Sequence, residues 1–85
     1  MAFNNFEVLF LTYFYIHPTR LIPAYELSSH FDLPTKSVGA KARRFIRLGY
    51  LSKCLDKKLD RVSYQITDRG VSALESELSR RAHGK

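Results

Sequence analysis

The sequence has a single cysteine, Cys54, no tryptophan, and only three prolines and four glycines in 85 residues. A lone cysteine leaves no internal disulfide and no cysteine pair for zinc. The histidines, His17, His30 and His83, are too scattered for ligand spacing, so no metal or other cofactor is expected. Glycine and proline are too sparse for a fibrous or disordered chain. A long hydrophobic run is also missing. The most apolar stretch, residues 6–16, is 11 residues long and is interrupted by Glu7 and Thr12, whereas a bilayer-spanning helix needs about 20. The stretch has neither a basic leader nor a small-residue cleavage site of the kind that marks a secretory signal. The expectation is a cytoplasmic protein, nucleoid-associated, with no membrane partner.

Catalytic groupings are scarce too. Asp56 and Asp60 flank lysines on a predicted hairpin, where both stay ionised and solvated instead of forming an acid–base pair. Ser28, Ser29 and His30 are adjacent in sequence and therefore point in different directions on a helix. No Gly-rich phosphate loop occurs. Cys54 lies near Lys53 and Lys57, which leaves redox sensing open beside a purely incidental thiol. A chain this short has little room for both a core and an enclosed cleft, and an enzyme is not expected.

What the sequence does have is an apolar share of 45%, six Phe and five Tyr, and a net charge of +6. Nine of the 14 Lys/Arg fall between residues 34 and 61, against two acids, so that segment carries +7 and the rest −1. Such clustering favours a polyanionic partner, because contacts to phosphates release condensed counterions. The alternative is a solvated face.

The pattern predicts a single α+β domain over residues 1–85, mainly helical. A first helix runs from Asn4 or Asn5 to His17, stopped by Pro18. Residues 20–22 form a brief edge strand, and Pro23 opens a helix over 24–31 with Leu27 and Phe31 on its inner face. Asp32-Leu33-Pro34 breaks the chain. A helix over 35–48 then buries Val38, Ala42 and Phe45 and ends at Gly49. Residues 50–56 and 61–67 form a hairpin, with Val62, Tyr64 and Ile66 inward and a charged tip, Lys57-Lys58-Leu59-Asp60. A last helix begins at Thr67 or Asp68 with Val71, Leu74 and Leu78 on one face, and frays from Ser79 onward.

Two helices joined by a tight turn are a helix-turn-helix, whose second helix enters a major groove. Its outer face here carries Lys36, Ala40, Arg43, Arg44 and Arg47, flanked by Ser37 and Lys41, with Thr35 at its start. The first half suits base edges; Arg43, Arg44 and Arg47 suit phosphates, or a guanine in the case of Arg43 or Arg44. Gly39 allows close approach of a neighbouring helix or of DNA, or is simply tolerated. Lys57, Lys58 and Arg61 make the hairpin a wing for flanking phosphates or the minor groove, though lysines on a hairpin also deter strand pairing. The partner expected is double-stranded DNA. The first helix is apolar on more than one face, which points to a homodimer through Phe3, Phe6, Phe10, Leu11 and Tyr13, or else to a deeply embedded helix. Leu74 and Leu78 are the second candidate surface.

Leu27, Phe31, Leu33, Val38, Phe45 and Gly49-Tyr50-Leu51 are spaced as in winged-helix regulators. The run Asp60-Arg61-Val62-Ser63-Tyr64-Gln65-Ile66-Thr67-Asp68-Arg69-Gly70, followed by Leu74, resembles the wing and following helix of the MarR and PadR families. The resemblance spans residues 20–78 and implies a winged helix-turn-helix: a three-helix core, a two-stranded β-wing over residues 51–67 and a C-terminal helix. It further implies a transcriptional regulator, a repressor among the options, bound as a dimer to an inverted repeat. Family members are longer, so no small-molecule effector is expected. Pro34 stands where Ser or Thr often caps the recognition helix, a task that passes to Thr35. A winged helix used as a protein-interaction module, or for non-specific nucleic-acid binding, is the competing expectation.

Overall fold

The computed structural model describes residues 3–58 and 60–83. The element order is α1 (Asn5–Tyr15), β1 (Ile22–Pro23), α2 (Ala24–Phe31), α3 (Thr35–Arg47), β2 (Leu51–Asp56), β3 (Arg61–Ile66) and α4 (Asp68–His83). The order and type of the elements match the reading of the sequence. The sheet is antiparallel with strand order β1-β3-β2, so the wing hairpin gains a two-residue third strand.

Asn4, and not Asn5, caps α1. Its side chain accepts the Glu7 N–H at 2.8 Å while the Glu7 carboxylate accepts the Asn4 N–H at 3.0 Å, a reciprocal capping box. The helix runs into the centre of the molecule. Phe10, Leu11 and Phe14 are fully buried. Phe10 stacks on Phe45 of α3 with centroids 5.9 Å apart and meets Phe31 of α2 at 5.5 Å. Phe3 closes the same cluster, with edge contacts to Phe45 and Tyr50. These contacts embed the first helix: much of its apolar excess is absorbed by α2, α3, α4 and the sheet, because a helix central to a small domain is covered from several sides. Truncating Phe10 or Phe45 would cost about 3–5 kcal/mol through reduced burial and cavity formation.

The turn between α2 and α3 is made by Asp32 in the left-handed region (φ 55°), with Leu33 N–H donating to Ser28 O at 3.0 Å. At the far end of α3, Gly49 adopts φ 81°, Tyr50 N–H returns to Phe45 O at 2.9 Å, and the chain turns into β2. Thr67 ties three elements at this point. Its hydroxyl donates to Gly49 O at 2.6 Å, its N–H donates to Tyr50 O at 3.0 Å, and its Oγ1 accepts the Gly70 N–H at 3.0 Å at the start of α4. Gly70 is required there, since a Cβ would lie 2.2 Å from Tyr50 O. Gly39, by contrast, has no neighbour within 4 Å of a Cβ, so no adjacent helix explains it.

α4 departs from expectation at its tail, which is helical through His83. Glu77 is buried and pairs with Arg80 and, at 2.8 Å, with Arg81. Arg81 also donates to Phe3 O at 2.7 Å and Asn5 Oδ1 at 2.9 Å. These bonds hold the last turns against the start of α1 and replace the fraying expected there. Gly84 and Lys85 lie outside the described residues.

Candidate nucleic-acid interface

On α3, Val38, Ala42 and Phe45 are essentially without solvent contact. Helical periodicity therefore turns Thr35, Lys36, Ala40, Lys41, Arg43, Arg44 and Arg47 outward, and all seven are exposed; Ser37 is half-buried at the edge. No acidic residue lies in the first turn, and no side chain caps it. Pro34, at the cap position, lacks the means, and Thr35 is the first helical residue instead of the cap expected of it. The positive end of the α3 dipole thus stays open beside Lys36.

The seven outward residues are not equivalent. Arg44 Nη1 lies 2.6 Å from the buried Glu7 carboxylate, so this guanidinium is drawn back onto α1. Arg44 is thus exposed and at the same time engaged within the chain: a buried carboxylate needs a partner, and Arg44 supplies it. The Lys41 ammonium lies over the Phe6 ring, 5.1 Å from its centroid, and so leans the same way. Arg43 lies near Tyr64, the buried tyrosine of β3. Burial raises the pKa of that hydroxyl and the Arg43 charge lowers it. Lys36, Arg43 and Arg47 remain as outward cations with no carboxylate partner among the described residues.

The wing stands away from the core. Only Leu51 of β2 is buried, while β3 alternates as its sequence predicts, with Tyr64 and Ile66 inside. Lys57 and Lys58 are exposed at the tip, where Asp56 Oδ1 accepts the Lys58 N–H at 3.0 Å and Asp60 takes a positive φ of 50°. Leu59, read as part of this tip, lies outside the described residues. Cys54 is exposed on β2 opposite Ser63. Arg61 folds over Tyr25 of α2, its guanidinium 4.9 Å from the ring centroid. Tyr25 was not singled out from the sequence, although an aromatic residue on the polar side of a short helix was a visible signal.

The residues assigned from sequence to a dimer surface separate into three groups. Phe3, Phe10, Leu11 and Leu74 are core residues of this chain and are not available to a second copy. Phe6 and Tyr13 are half-buried and engaged. Phe6 lies beneath Lys41, and the Tyr13 hydroxyl donates to Glu26, which Arg20 also grips. That carboxylate raises the Tyr13 pKa, and Arg20 above all holds Glu26 below its ordinary value. Leu78 is exposed. The apolar surface left on α1 is Leu9 and Ile16, 61% and 60% exposed, beside a shallow groove of about 430 Å³ whose walls include Tyr13, His30 and Phe31. Among the described residues, no helix is long and apolar enough to cross a membrane, and no group of three potential metal ligands occurs.

Comparison with solved structures places this arrangement. MepR of Staphylococcus aureus in complex with DNA superimposes with a TM-score of 0.82 over 94% of this chain and 65% of its own, at 17% identity. MepR described as a transcription regulator of the multidrug efflux pump MepA matches at 0.78, with 18% identity, over 89% of this chain and 56% of its own. MarR matches at 0.79, with 21% identity, over 95% and 54%. The chain has the winged-helix fold. At these identities the likeness extends to fold alone, and the chain spans only 54–65% of the length of these three proteins. No family model matches the sequence, and no curated protein is similar enough in sequence to count as a match.

Proposed function

We propose that this chain is a sequence-specific double-stranded DNA-binding regulator of transcription, with α3 seated in a major groove and the wing on flanking DNA. One observation carries the reading: α3 is fully buried along Val38, Ala42 and Phe45, yet presents Lys36, Arg43 and Arg47 outward without carboxylate partners among the described residues. A major groove about 12 Å wide admits one such helix. Thr35, Lys36, Ser37 and Ala40, near the open end of α3, are the base-reading positions. Arg43 and Arg47 contact phosphates, Lys41 is a secondary contact, and Arg44 acts through Glu7 by fixing the helix. Lys57, Lys58 and Arg61 supply the contacts of the wing. That MepR, which has the same fold, forms a complex with DNA supports the DNA-binding reading.

Dimeric binding is part of the proposal, and Leu9 with Ile16 on α1 is the surface that supports it in place of the buried residues above. Two copies on one site predict an inverted repeat with half-sites about 34–36 Å apart, one helical turn. The test is selection from random duplex DNA followed by sequencing and sedimentation of the complex. Enrichment of a palindrome bound by two chains is the expected result. Uniform retention of all sequences would reduce the protein to non-specific binding, and no retention at physiological salt would overturn the reading.

A further inference from the structure

Arg61 differs from most of the arginines that hold the fold. Arg20, Arg44, Arg80 and Arg81 each pair with a carboxylate, whereas Arg61 has no ion pair among the described residues and rests on an aromatic ring instead. The backbone sets up this meeting. β1 pairs with β3 through Ile22 with Tyr64 and Pro23 with Ser63. The same antiparallel register, carried two residues further, brings Tyr25 opposite Arg61 just as the chain coils into α2. Tyr25 is 55% exposed, so hydrophobic burial gives little reason for its presence.

A guanidinium lying on a ring keeps almost all of its hydrogen-bonding capacity, because its N–H donors point outward in its own plane. It is also held in one orientation, which suits the two-pronged recognition of a phosphate. The pair joins the tip end of the wing, where β3 begins, to the first turn of the helix-turn-helix. If α3 occupies a major groove and Lys57 and Lys58 reach the neighbouring minor groove, the sugar–phosphate ridge between the grooves runs beneath this junction. We propose that Arg61 binds a DNA phosphate on that ridge and that Tyr25 is its positioning residue, which makes the junction a third contact beside α3 and the wing tip. The proposal rests on the DNA-binding reading above.

The test measures affinity for mixed-sequence duplex DNA by fluorescence anisotropy over a series of salt concentrations, with melting curves confirming that each variant folds. Arg61→Ala should weaken binding about tenfold and lower the slope of log affinity against log salt by about 0.9, as expected when one phosphate is no longer neutralised by the protein. Arg61→Lys should keep the slope but bind about threefold more weakly, since an ammonium cannot stack and fork in the same way. Tyr25→Leu should weaken binding about threefold, Tyr25→Phe should behave as the parent, and Tyr25→Leu combined with Arg61→Ala should be no weaker than Arg61→Ala alone. A merely structural tyrosine would leave the salt slope untouched and add its effect to that of Arg61→Ala. If Lys36→Ala with Arg47→Ala weakens binding while Arg61→Ala changes neither affinity nor slope, this proposal falls and the DNA reading stands. If the parent chain binds no duplex, both fall.

Discussion

α3 and α4 are both amphipathic helices rich in arginine, and they use it in opposite ways. In α4, Arg80 and Arg81 both pair with Glu77, and Arg81 closes the end of the helix against Phe3 and Asn5. In α3, Arg43 and Arg47 point away from the core, and only Arg44 finds a buried carboxylate, Glu7 of α1. The residue type does not set the role. What sets it is whether an acid lies within reach on the protein side, and the stretch from Pro34 to Tyr50 has none of its own. The surplus charge of α3 is therefore available to an outside anion, while that of α4 is internally balanced.

The sharpest test of this contrast removes outward cations from one helix and compares the other. Lys36→Ala with Arg47→Ala should lower affinity for a selected duplex by about a hundredfold, and Arg80→Ala should leave it within about twofold, both read by gel shift at fixed salt. Arg44→Ala breaks the symmetry within α3. It should destabilise the protein by about 1 kcal/mol in urea unfolding, because Glu7 is left without its cation, with less effect on the salt slope of binding than removal of Arg47. The smallest effect concerns pH. Arg81 and Arg80 hold the Glu77 carboxyl below its ordinary value of 4.5. A carboxyl with a depressed folded-state pKa adds stability that is present in full above the unfolded value and is lost as pH falls through the folded one. Glu77→Gln should flatten that acid limb of a melting-temperature profile, and an unchanged profile would show that the α4 pairs contribute nothing.

The same contrast explains what the sequence made legible. The inward face of α3, the alternation of β3 and the glycine stop at residue 49 follow from local periodicity and turn chemistry, which about twelve residues are enough to display. The Glu77–Arg81 spacing was equally local, at i, i+4, but its consequence was not. Arg81 reaches Phe3 O and Asn5 Oδ1 from the other end of the chain, so a polar tail expected to fray is pinned. Glu7 with Arg44 and Tyr25 with Arg61 are likewise meetings between elements that no window of sequence contains. The surroundings of the first helix are non-local in the same way. Its second apolar face looked surplus when the domain was taken to have one side to offer, yet α2, α3, α4 and the sheet cover much of it, and Leu9 and Ile16 are the large apolar residues left exposed there.

Thr67 gives the hairpin a mechanical character. Both of its strands leave the body of the protein at one knot, where a single side chain and its own N–H grip the exit of α3 and the entry to α4. Beyond that knot β3 is steadied by β1 at Ser63 and Tyr64 and by Arg61 on Tyr25, while β2 is the open edge. A push delivered at the lysine-bearing tip therefore bears on α2 through Tyr25 as well as on α3 and α4 through Thr67.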